Sequence, residues 1–291
     1  MKKIKVIDIS YCQRKVDFMA LKLAGVKAVI IRTGYLNKTD TMFHNHMKGA
    51  IAAGLDIGVY TYIMAKDTSQ AVLEAHQTVE RIKQYKGYIT YPVYCDMEDR
   101  RYLTGDFGKT FDRRLCTDII KAFCNSINGA GYFAALYINP AWLEQYTYKN
   151  ELLGKYDIWL AAWTDSPNKG TKYNYGQKMW QWGTEELNGI ATPVDSNLCY
   201  VDYPSIIKKA KKNFLTEEIT KTVKRVKLAY HAQARRGPAA STTSCGCLVP
   251  GMSVTVVIGS ETIDEATGYV YIKIKRNGGY QWIVKSALGK I

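Results

Sequence analysis

The chain has 291 residues, of which 47% are hydrophobic, and a formal net charge of +14. This length allows one large buried core and a small second domain, and no apolar run approaches the roughly 20 residues that a membrane span requires. Residues 225–291 carry about +6 of the charge. A basic surface favours a polyanionic partner, but charge alone does not distinguish nucleic acid, anionic lipid and the anionic polymers of a bacterial wall.

Short β-rich runs alternate with amphipathic helical runs up to about residue 200. Strands are predicted at residues 5–9, 28–32, 56–62, 92–97, 134–138, 158–162, 178–182 and 192–196. Helices are predicted between the first five strands, at residues 17–23, 41–53, 69–85 and 112–128. The last three strands follow one another with little room for helices. The pattern therefore predicts an α/β fold, an incomplete (β/α) TIM-like barrel.

The composition changes after residue 206. Residues 207–224 are rich in Lys, Thr and Glu, which predicts a basic linker or helical extension between a first domain, 1–206, and a second, 225–291. In the second domain, residues 254–258, 270–275 and 282–284 alternate in the manner of strands and are separated by turn signals. We expect a small all-β barrel there.

Four acidic residues lie at predicted strand ends of the first domain: Asp8, Asp96, Glu98 and Asp195. The C-terminal ends of strands in such a barrel converge on one pocket. Asp96 and Glu98 are two residues apart, so on an extended chain their side chains leave the same face. Neighbouring carboxyls raise one another's pKa, so one can stay protonated while the other is ionised, as glycosidic cleavage requires.

Structural roles for these acids are the alternative. Asp96 and Glu98 could form salt bridges with Arg100 and Arg101, or could cap the loop that follows the strand. Asp8 taken alone is more often a structural acid than a catalytic one.

Aromatic residues cluster at the same strand ends, namely Tyr35, Tyr60, Tyr62, Tyr137, Trp163, Trp180 and Trp182. Sugar rings stack on aromatic planes, while tyrosine hydroxyls and Gln181 can hydrogen-bond to sugar hydroxyls. Aromatic residues in strands usually belong to the core, so only part of this set is expected to bind substrate. Trp163 and Tyr62 are the most loop-proximal. Arg32, at the end of the second strand, is a further candidate substrate contact.

The histidine and cysteine pattern predicts neither a metal site nor a covalent nucleophile. His44 and His46 are two apart in a predicted helix and cannot share one metal, and Cys245-Gly-Cys247 lacks the second half of a zinc site. No base is paired with a cysteine or serine, and no glycine-rich phosphate motif is present. We expect no cofactor.

Together these residues resemble glycoside hydrolase family 25, the muramidases found among phage endolysins and bacterial autolysins. The resemblance covers residues 5–200. It rests on motifs in a fixed order: Asp8-Ile-Ser10 to Gln13, Val16-Asp17-Phe18, Gly58-Val-Tyr60-Thr-Tyr62, Asp96-Met-Glu98, Tyr137-Ile-Asn139, Trp163, Trp180-Gln181-Trp182 and Val194-Asp195-Ser-Asn197.

The resemblance implies cleavage of the β-1,4 bond between N-acetylmuramic acid and N-acetylglucosamine. It implies that Glu98 is the proton donor and that Asp96, Asp8 and Asp195 are the other active-site carboxylates. In that family the 2-acetamido group of the substrate is thought to act as an internal nucleophile, which Asp96 would orient. Phe18 replaces the family's usual tryptophan, and Arg14 and Lys15 stand where a glycine is usual. These departures concern substrate fit.

Residues 228–291 resemble, more weakly, bacterial SH3-like wall-binding domains. An Ala-Arg-Arg-Gly-Pro run near the start and Gly-Tyr-Gln-Trp-Ile-Val near the end carry this likeness. It implies that peptidoglycan is the partner of both domains, with anionic wall polymers as a further partner, and neither nucleic acid nor membrane insertion is expected. A solvated basic face without a ligand is the alternative.

The basic start of the chain is interrupted at Asp8 before it reaches the length of a signal peptide. This favours a lysozyme made in the bacterial host cytoplasm and released to the wall as a phage endolysin, rather than a secreted autolysin. Two alternatives differ in chemistry. A non-catalytic wall-adhesion protein on a decayed barrel would bind walls without producing reducing ends, and a chitinase-like hydrolase would cut chitin as readily as peptidoglycan.

Overall fold

The structure is a computed structural model that describes residues 3–104, 112–215, 223–257, 260, 262–264, 266–276 and 279–288. The chain divides into two compact units, Met1–Thr216 and Glu217–Ile291. None of the helices in the described ranges is both long and apolar enough to cross a membrane.

The first unit is a mixed α/β structure. In chain order its elements are β1 (Ile4–Ile9), α1 (Phe18–Leu23), β2 (Ala28–Tyr35), β3 (Lys38–Thr39), α2 (Phe43–Ala53), β4 (Asp56–Tyr62), α3 (Thr68–Ile82), β5 (Val93–Asp96), α4 (Arg101–Thr104), α5 (Arg113–Gly129), β6 (Ala134–Ile138), α6 (Pro140–Gln145), β7 (Asp157–Ala161), β8 (Met179–Glu185), β9 (Val194–Cys199) and α7 (Tyr203–Lys209). The eight predicted strands and four predicted helices are confirmed.

Eight strands close into a barrel. The order is β1-β9-β8-β7-β6-β5-β4-β2, and a further pairing of β1 with β2 closes the ring, while β3 extends β2 as a hairpin. Neighbouring strands are parallel except at β9, which is antiparallel to both β8 and β1. Only residues 186–193 join β8 to β9, and this is too short for a helical crossover, so the chain turns back on itself. The ring of strands is complete, but the ring of helices is not.

Five of the helices, α1, α3, α5, α6 and α7, begin where an acidic or amide side chain accepts a hydrogen bond from a free backbone N–H group. Asp17 accepts hydrogen bonds from Met19 and Ala20 at the start of α1, and Asp67 and Asp112 do the same for α3 and α5. The short α6 was not predicted. It begins at Asn139, directly after β6, with Pro140 in its first turn. These capping hydrogen bonds fix the first turns of helices that follow the strands, and so they help to hold the strand ends in place.

The barrel has an apolar layer on each side of its sheet. The larger cluster lies between the strands and the helices, and a smaller one fills the barrel. Trp159 is the centre of the inner cluster, with ring centroids 4.5 Å from Tyr137, 4.9 Å from Tyr94 and 6.2 Å from Tyr60. These edge-to-face contacts plug the barrel beneath its mouth. The polar residues above the plug therefore stand on a packed floor.

The end of α7 and the segment that follows it belong to the first unit, although a linker was predicted to begin at residue 207. Ile207 is buried in the inner cluster. Asn213 is also buried; its side chain accepts a hydrogen bond from the N–H of Phe133 (2.6 Å) and donates to the carbonyls of Ile89 (3.0 Å) and Tyr91 (2.9 Å). The segment is thus fastened to strand ends of the barrel. Of the rest of the predicted linker, which ran to residue 224, residues 216–222 lie outside the described residues, and residues 223 and 224 belong to the first strand of the second unit.

The second unit is all-β among its described residues. Its strands are β10 (Val223–Lys227), β11 (Ala232–Arg235), β12 (Ser244–Leu248), β13 (Ser253–Val257), β14 (Thr262–Ile263), β15 (Val270–Arg276) and β16 (Gly279–Val284). They pair in the order β10-β13-β15-β16-β11-β12, with β14 beside β15. The three predicted strands lie within β13, β15 and β16, apart from residue 258, which is outside the described residues. Cys245 and Cys247 are both free thiols.

Candidate active site

Four acidic side chains meet at the mouth of the barrel, as predicted. Asp8 in β1 lies directly opposite Asp195 in β9. Asp96 is the last residue of β5, and Glu98 follows it in the loop. Charge interactions connect Asp8 with Asp195 and Glu98, and Asp96 with Glu98 and Asp8. The closed ring of strands is what brings these distant residues into one cluster.

Burial raises the pKa of each acid in this cluster, and charge repulsion adds to the effect at Asp8, Asp96 and Glu98. Burial raises the pKa of Asp8 and Asp96 well above the ordinary range, and the charges of Asp195 and Glu98, respectively, add to it. The pKa of Glu98 is raised by burial, then by Asp195 and Asp99, while a hydrogen bond with Tyr137 acts in the opposite direction. Burial also raises the pKa of Asp195. The cluster therefore retains protons at a pH where isolated carboxyls are ionised.

Exposure divides the cluster into two pairs. Asp8 and Asp96 are 7% and 3% exposed and form its floor. Glu98 and Asp195 are only half-buried. A ligand entering the mouth thus reaches Glu98 and Asp195 first.

Two amide groups hold one oxygen of Asp8. Asn197 Nδ2 donates to Asp8 Oδ2 at 2.8 Å, and Gln181 Nε2 donates to the same oxygen at 3.2 Å. Trp159 Nε1 donates to Asn197 Oδ1 at 2.7 Å, and Trp163 Nε1 donates to Gln181 Oε1 at 3.0 Å. Because an indole N–H can only donate, each tryptophan fixes its amide with the NH₂ group toward Asp8. The carboxylate is thereby held in one orientation.

Asp96 differs from Asp8 in its partners. Within the described part of the chain, Asp96 Oδ1 is buried and has no hydrogen-bond partner. A buried acceptor without a donor is costly in a folded protein, and it is normally completed by a protein group, a water, an ion or a bound ligand. Arg32 lowers the pKa of Asp96 by its charge. The oxygen is thus available to a hydrogen-bond donor brought by a substrate.

The salt bridge and loop capping that were considered as structural roles for Asp96 and Glu98 are provided by a different residue, Asp99. Asp99 accepts hydrogen bonds from the backbone N–H of Arg101 (2.9 Å) and from its Nε (3.0 Å), and the two side chains form an ion pair. A hydrogen bond links Asp99 to Tyr62 as well. Asp99 therefore anchors the loop after β5 and leaves Asp96 and Glu98 at the mouth. The sequence analysis did not single out Asp99.

Arg32 reaches the site from β2. Its guanidinium pairs with Asp40 (Nε to Oδ2, 2.7 Å) and lies 4.8 Å from the centre of the Tyr11 ring. Asp40 also accepts from the backbone N–H of Tyr11 (3.0 Å) and of Met42 (2.9 Å). This network joins the loops after β1 and β2. Arg32 therefore helps to hold these two loops together, in addition to lowering the pKa of Asp96. Asp40 was not predicted.

The aromatic candidates fall into two groups. Tyr60, Tyr62 and Tyr137 face the acids. Burial is the largest cause of the raised pKa of each hydroxyl, and the charge of an acid is the second: Asp8 for Tyr60, Asp99 for Tyr62 and Glu98 for Tyr137. The Tyr137 hydroxyl donates to Gln181 at 3.0 Å. Trp163 is 64% exposed, with its ring available for stacking.

Two other candidates are not brought to the acids. Trp180 is fully buried and donates to the carbonyl of Ala162 at 2.7 Å. Its neighbour Gln181 points into the barrel, and successive side chains of a strand leave opposite faces, so Trp180 points away from the acids. Tyr35 lies in the β2–β3 hairpin, where the ammonium of Lys38 is 5.8 Å from its ring centre.

A cluster of acids at a barrel mouth, flanked by aromatic rings, is the arrangement that glycoside hydrolases use. Among the described residues, no group of three His, Cys, Asp or Glu side chains has the geometry of a metal site. The site is thus built from carboxyls, amides and aromatic rings.

Comparison with known proteins identifies the family. The model of the glycosyl hydrolases family 25 matches residues 7–189, so the chain belongs to this family of lysozymes. A stretch of 70 residues is 46% identical to the autolytic lysozyme of Clostridium acetobutylicum and covers 23% of this chain and 22% of that protein.

Solved structures share the fold. The modular autolysin LytC from Streptococcus pneumoniae, in complex with a synthetic peptidoglycan ligand, superposes with a TM-score of 0.60 at 27% identity, over 68% of this chain and 47% of LytC. The bacterial lysozyme from Streptomyces coelicolor has a TM-score of 0.60 at 18% identity, over 74% of this chain and 100% of that chain. The chain thus spans less than half the length of LytC and about a fifth of the clostridial relative.

Replacing Asp96 by Asn is expected to stabilise the first unit near neutral pH. The raised pKa means that the fold binds this proton more tightly than the unfolded chain does, so the proton stabilises the fold at acid pH and the contribution is lost as the pH rises through the raised pKa. Asn imitates the protonated side chain. The melting temperature at pH 7 should rise by a few degrees, since about 1 kcal/mol corresponds to roughly 2–4 °C for a domain of this size.

The gain should disappear below about pH 4, where Asp96 is protonated in both states. Asp165→Asn, at an exposed position, is the control and should change the melting temperature at neither pH. A melting temperature of Asp96→Asn that is unchanged or lowered at pH 7 would show that the fold does not oppose the charge of Asp96.

Proposed function

We propose that the protein is a peptidoglycan hydrolase that cleaves the β-1,4 bond between N-acetylmuramic acid and N-acetylglucosamine. The observation that carries this proposal is the four-acid cluster at the barrel mouth, in which the half-buried carboxyls of Glu98 and Asp195 keep raised pKa values. A glycosidic oxygen is a poor leaving group unless a carboxylic acid protonates it, so the reaction needs an accessible acid of this kind. Membership of the lysozyme family supports the choice of substrate.

Glu98 is the proton donor in this proposal. The pKa values of Asp96 and Asp8 are raised as well, but these two acids are the more buried pair on the floor of the site. Glu98 lies in the loop above them, and the nearby charges of Asp195 and Asp99 oppose its ionisation. It therefore combines reach with a retained proton.

Asp96 and Asp8 support the other half of the reaction. Bond cleavage develops positive charge on the sugar, which nearby carboxylates stabilise. The unpartnered Oδ1 of Asp96 can accept a hydrogen bond from the N–H of a substrate 2-acetamido group, which would orient that group as an internal nucleophile. Asp8, held by two amides, lies beside it in a fixed orientation. Asp195, opposite Asp8 and half-buried, faces the same space.

The sugar-binding surface consists of the rings and hydrogen-bonding groups around these acids. Trp163 offers an exposed ring, and Tyr62, Tyr60, Tyr137 and Gln181 offer polar atoms at the mouth. Trp163 and Tyr137 both bond to Gln181, so the stacking surface is coupled to the group that holds Asp8. Substrate stacking and carboxylate alignment thus depend on the same amide.

We also propose that residues 225–291 form an SH3-like domain that binds the bacterial wall. Three tyrosines of this unit are exposed, Tyr230, Tyr269 and Tyr280. The ammonium of Lys273 lies 4.7 Å from the Trp282 ring centre. A basic β unit with exposed aromatic rings suits a polymer that has both sugar faces and negative charge.

A role as a phage endolysin, made in the host cytoplasm, is part of the proposal. Among the solved structures that share the fold is the catalytic domain of the endolysin ply40 from a Listeria monocytogenes bacteriophage, at 23% identity with a TM-score of 0.57. Production inside a bacterium should then cause lysis only when the membrane is also permeabilised. Lysis of intact producing cells would contradict this role.

Replacing Glu98 by Gln is expected to lower the release of reducing ends from purified cell walls by about 10²–10⁴-fold, because the amide cannot donate the catalytic proton. Wall binding, measured by co-sedimentation, should be unchanged. Glu186→Gln, which changes an exposed glutamate of the same unit, is the matched control and should keep full activity.

Activity retained in Glu98→Gln would disprove the assignment of the donor. A wild-type protein that binds walls but releases no reducing ends would instead support the non-catalytic adhesion alternative, and equal cleavage of chitin would support the chitinase-like one.

A protein ending at Thr216 should lose most of its binding to walls while it still cleaves soluble wall fragments. The boundary follows the division into compact units, and the active-site residues all lie before it. Co-sedimentation with walls and reducing-end release from soluble fragments measure the two effects separately. Unchanged wall binding would contradict the proposed role of the second unit.

A further inference from the structure

A second recess lies beside the acid cluster. It is a cleft of about 550 Å³ at the carboxyl ends of β6 and β7, bounded by the loop that leads from β7 to β8. This volume falls within the range of small-molecule sites. Its lining combines an aromatic wall with hydroxyl and ammonium groups: Trp163, Thr164, Ser166, Lys169, Lys172 and Tyr173.

The two lysines of the cleft are exposed and are not part of any ion pair found in the described residues. Elsewhere in the same unit, Lys121 and Lys149 pair with glutamates at 2.6 Å. The ammonium of Lys172 instead lies 5.2 Å from the ring centre of Tyr173. The cleft therefore presents two positive charges that form no ion pair with a carboxylate of the described residues.

Trp163 connects this cleft to the acids. Its ring lines the cleft, and its Nε1 donates to Gln181, which in turn donates to Asp8. A ligand in the cleft is therefore separated from the acid cluster by one side chain and an amide.

We propose that the cleft binds a carboxylate of the peptide that is attached to the sugar undergoing cleavage. This inference rests on the proposed function. The peptide of peptidoglycan is joined to muramic acid, so its carboxylates lie close to the scissile bond. Phosphates of anionic wall polymers are also negatively charged, and the titration described below distinguishes them from the peptide carboxylates.

The two lysines then act in substrate selection. They attract a carboxylate from the peptide and leave the sugar contacts of the mouth unchanged, so they favour strands that carry peptides over bare glycan. Because the ammonium groups are exposed, salt should weaken their contribution.

The test replaces both lysines in the full-length protein, as Lys169→Gln with Lys172→Gln. Reducing-end release is measured on soluble peptidoglycan strands that carry their peptides and on the same strands after an amidase has removed them. We expect kcat/KM to fall about tenfold on the peptide-bearing strands, as two exposed charge pairs of about 0.7 kcal/mol each would give, and to stay unchanged on the stripped strands.

The matched control is Lys86→Gln with Lys155→Gln. It makes the same change in net charge, and these ammonium groups also lie over aromatic rings, at 4.3 Å from the centre of Phe214 and 5.3 Å from that of Tyr156. Neither residue lines the cleft. The control variant should match the wild type on both substrates. A cleft variant that loses activity equally on both substrates, or on neither, would overturn the proposal.

Calorimetric titration separates the cleft from the catalytic proposal. A soluble N-acetylated wall peptide with free carboxylates should bind the wild type, and its affinity should fall about tenfold in the cleft variant. Poly(glycerol phosphate) is the competing probe, and binding of that polymer without binding of the peptide would overturn the carboxylate assignment. A different result would contradict the proposed function itself: the wild type would release no reducing ends from the peptide-bearing strands or from the stripped ones.

Discussion

The crowding of four carboxyl groups at the mouth of a closed barrel is the constraint on which the rest of the structure depends. Like charges in a buried site oppose one another, because burial weakens the screening of charge by solvent. The protein holds this arrangement by closing the ring of strands, which fixes Asp8 opposite Asp195. It places the Trp159 plug beneath the acids. Burial and the neighbouring charges oppose ionisation of Glu98 and so raise its pKa, which keeps a proton on this side chain.

Amide groups, rather than cations, support the most buried part of the cluster. A lysine or arginine beside Asp8 would lower its pKa and neutralise the site, whereas Asn197 and Gln181 orient the carboxylate without adding a full charge. The two indoles behind them remove the ambiguity of amide orientation. The nearby Arg32 shares its charge with Asp40, which limits its effect on Asp96. The carboxyl groups of the site are thus held in fixed orientations, while cations neutralise little of their negative charge.

The sequence predicted the elements and the acids because both follow from local pattern. Alternation of β and helical runs located the strands, and strand ends of one barrel necessarily share a pocket. Successive side chains of a strand point to opposite faces, so Trp180 cannot point to the acids if its neighbour Gln181 does. That rule was available in the sequence. The antiparallel direction of β9 was signalled only by the short connection before it.

Other features depend on contacts that no local pattern reveals. Trp159 resembles any core aromatic until its N–H is seen to bond to Asn197. Asp99 and Asp40 look like loop acids, and their partners become known only when the loops are folded. Asn213 stands in a lysine-rich run that indicates a linker, yet its side chain bonds to three backbone groups of the barrel. Composition over a window cannot detect a single buried amide.

The raised pKa of Glu98 is the central claim of this account, and an NMR titration of its side-chain carboxyl carbon measures it directly. With the signal assigned by its loss in Glu98→Gln, the account predicts a pKa above the ordinary value of about 4.3 in the wild type. It also predicts a decrease toward that value in Asp195→Asn, which removes a charge that opposes ionisation. A Glu98 that titrates at the ordinary value in the wild type, or whose pKa is unchanged in Asp195→Asn, would contradict it.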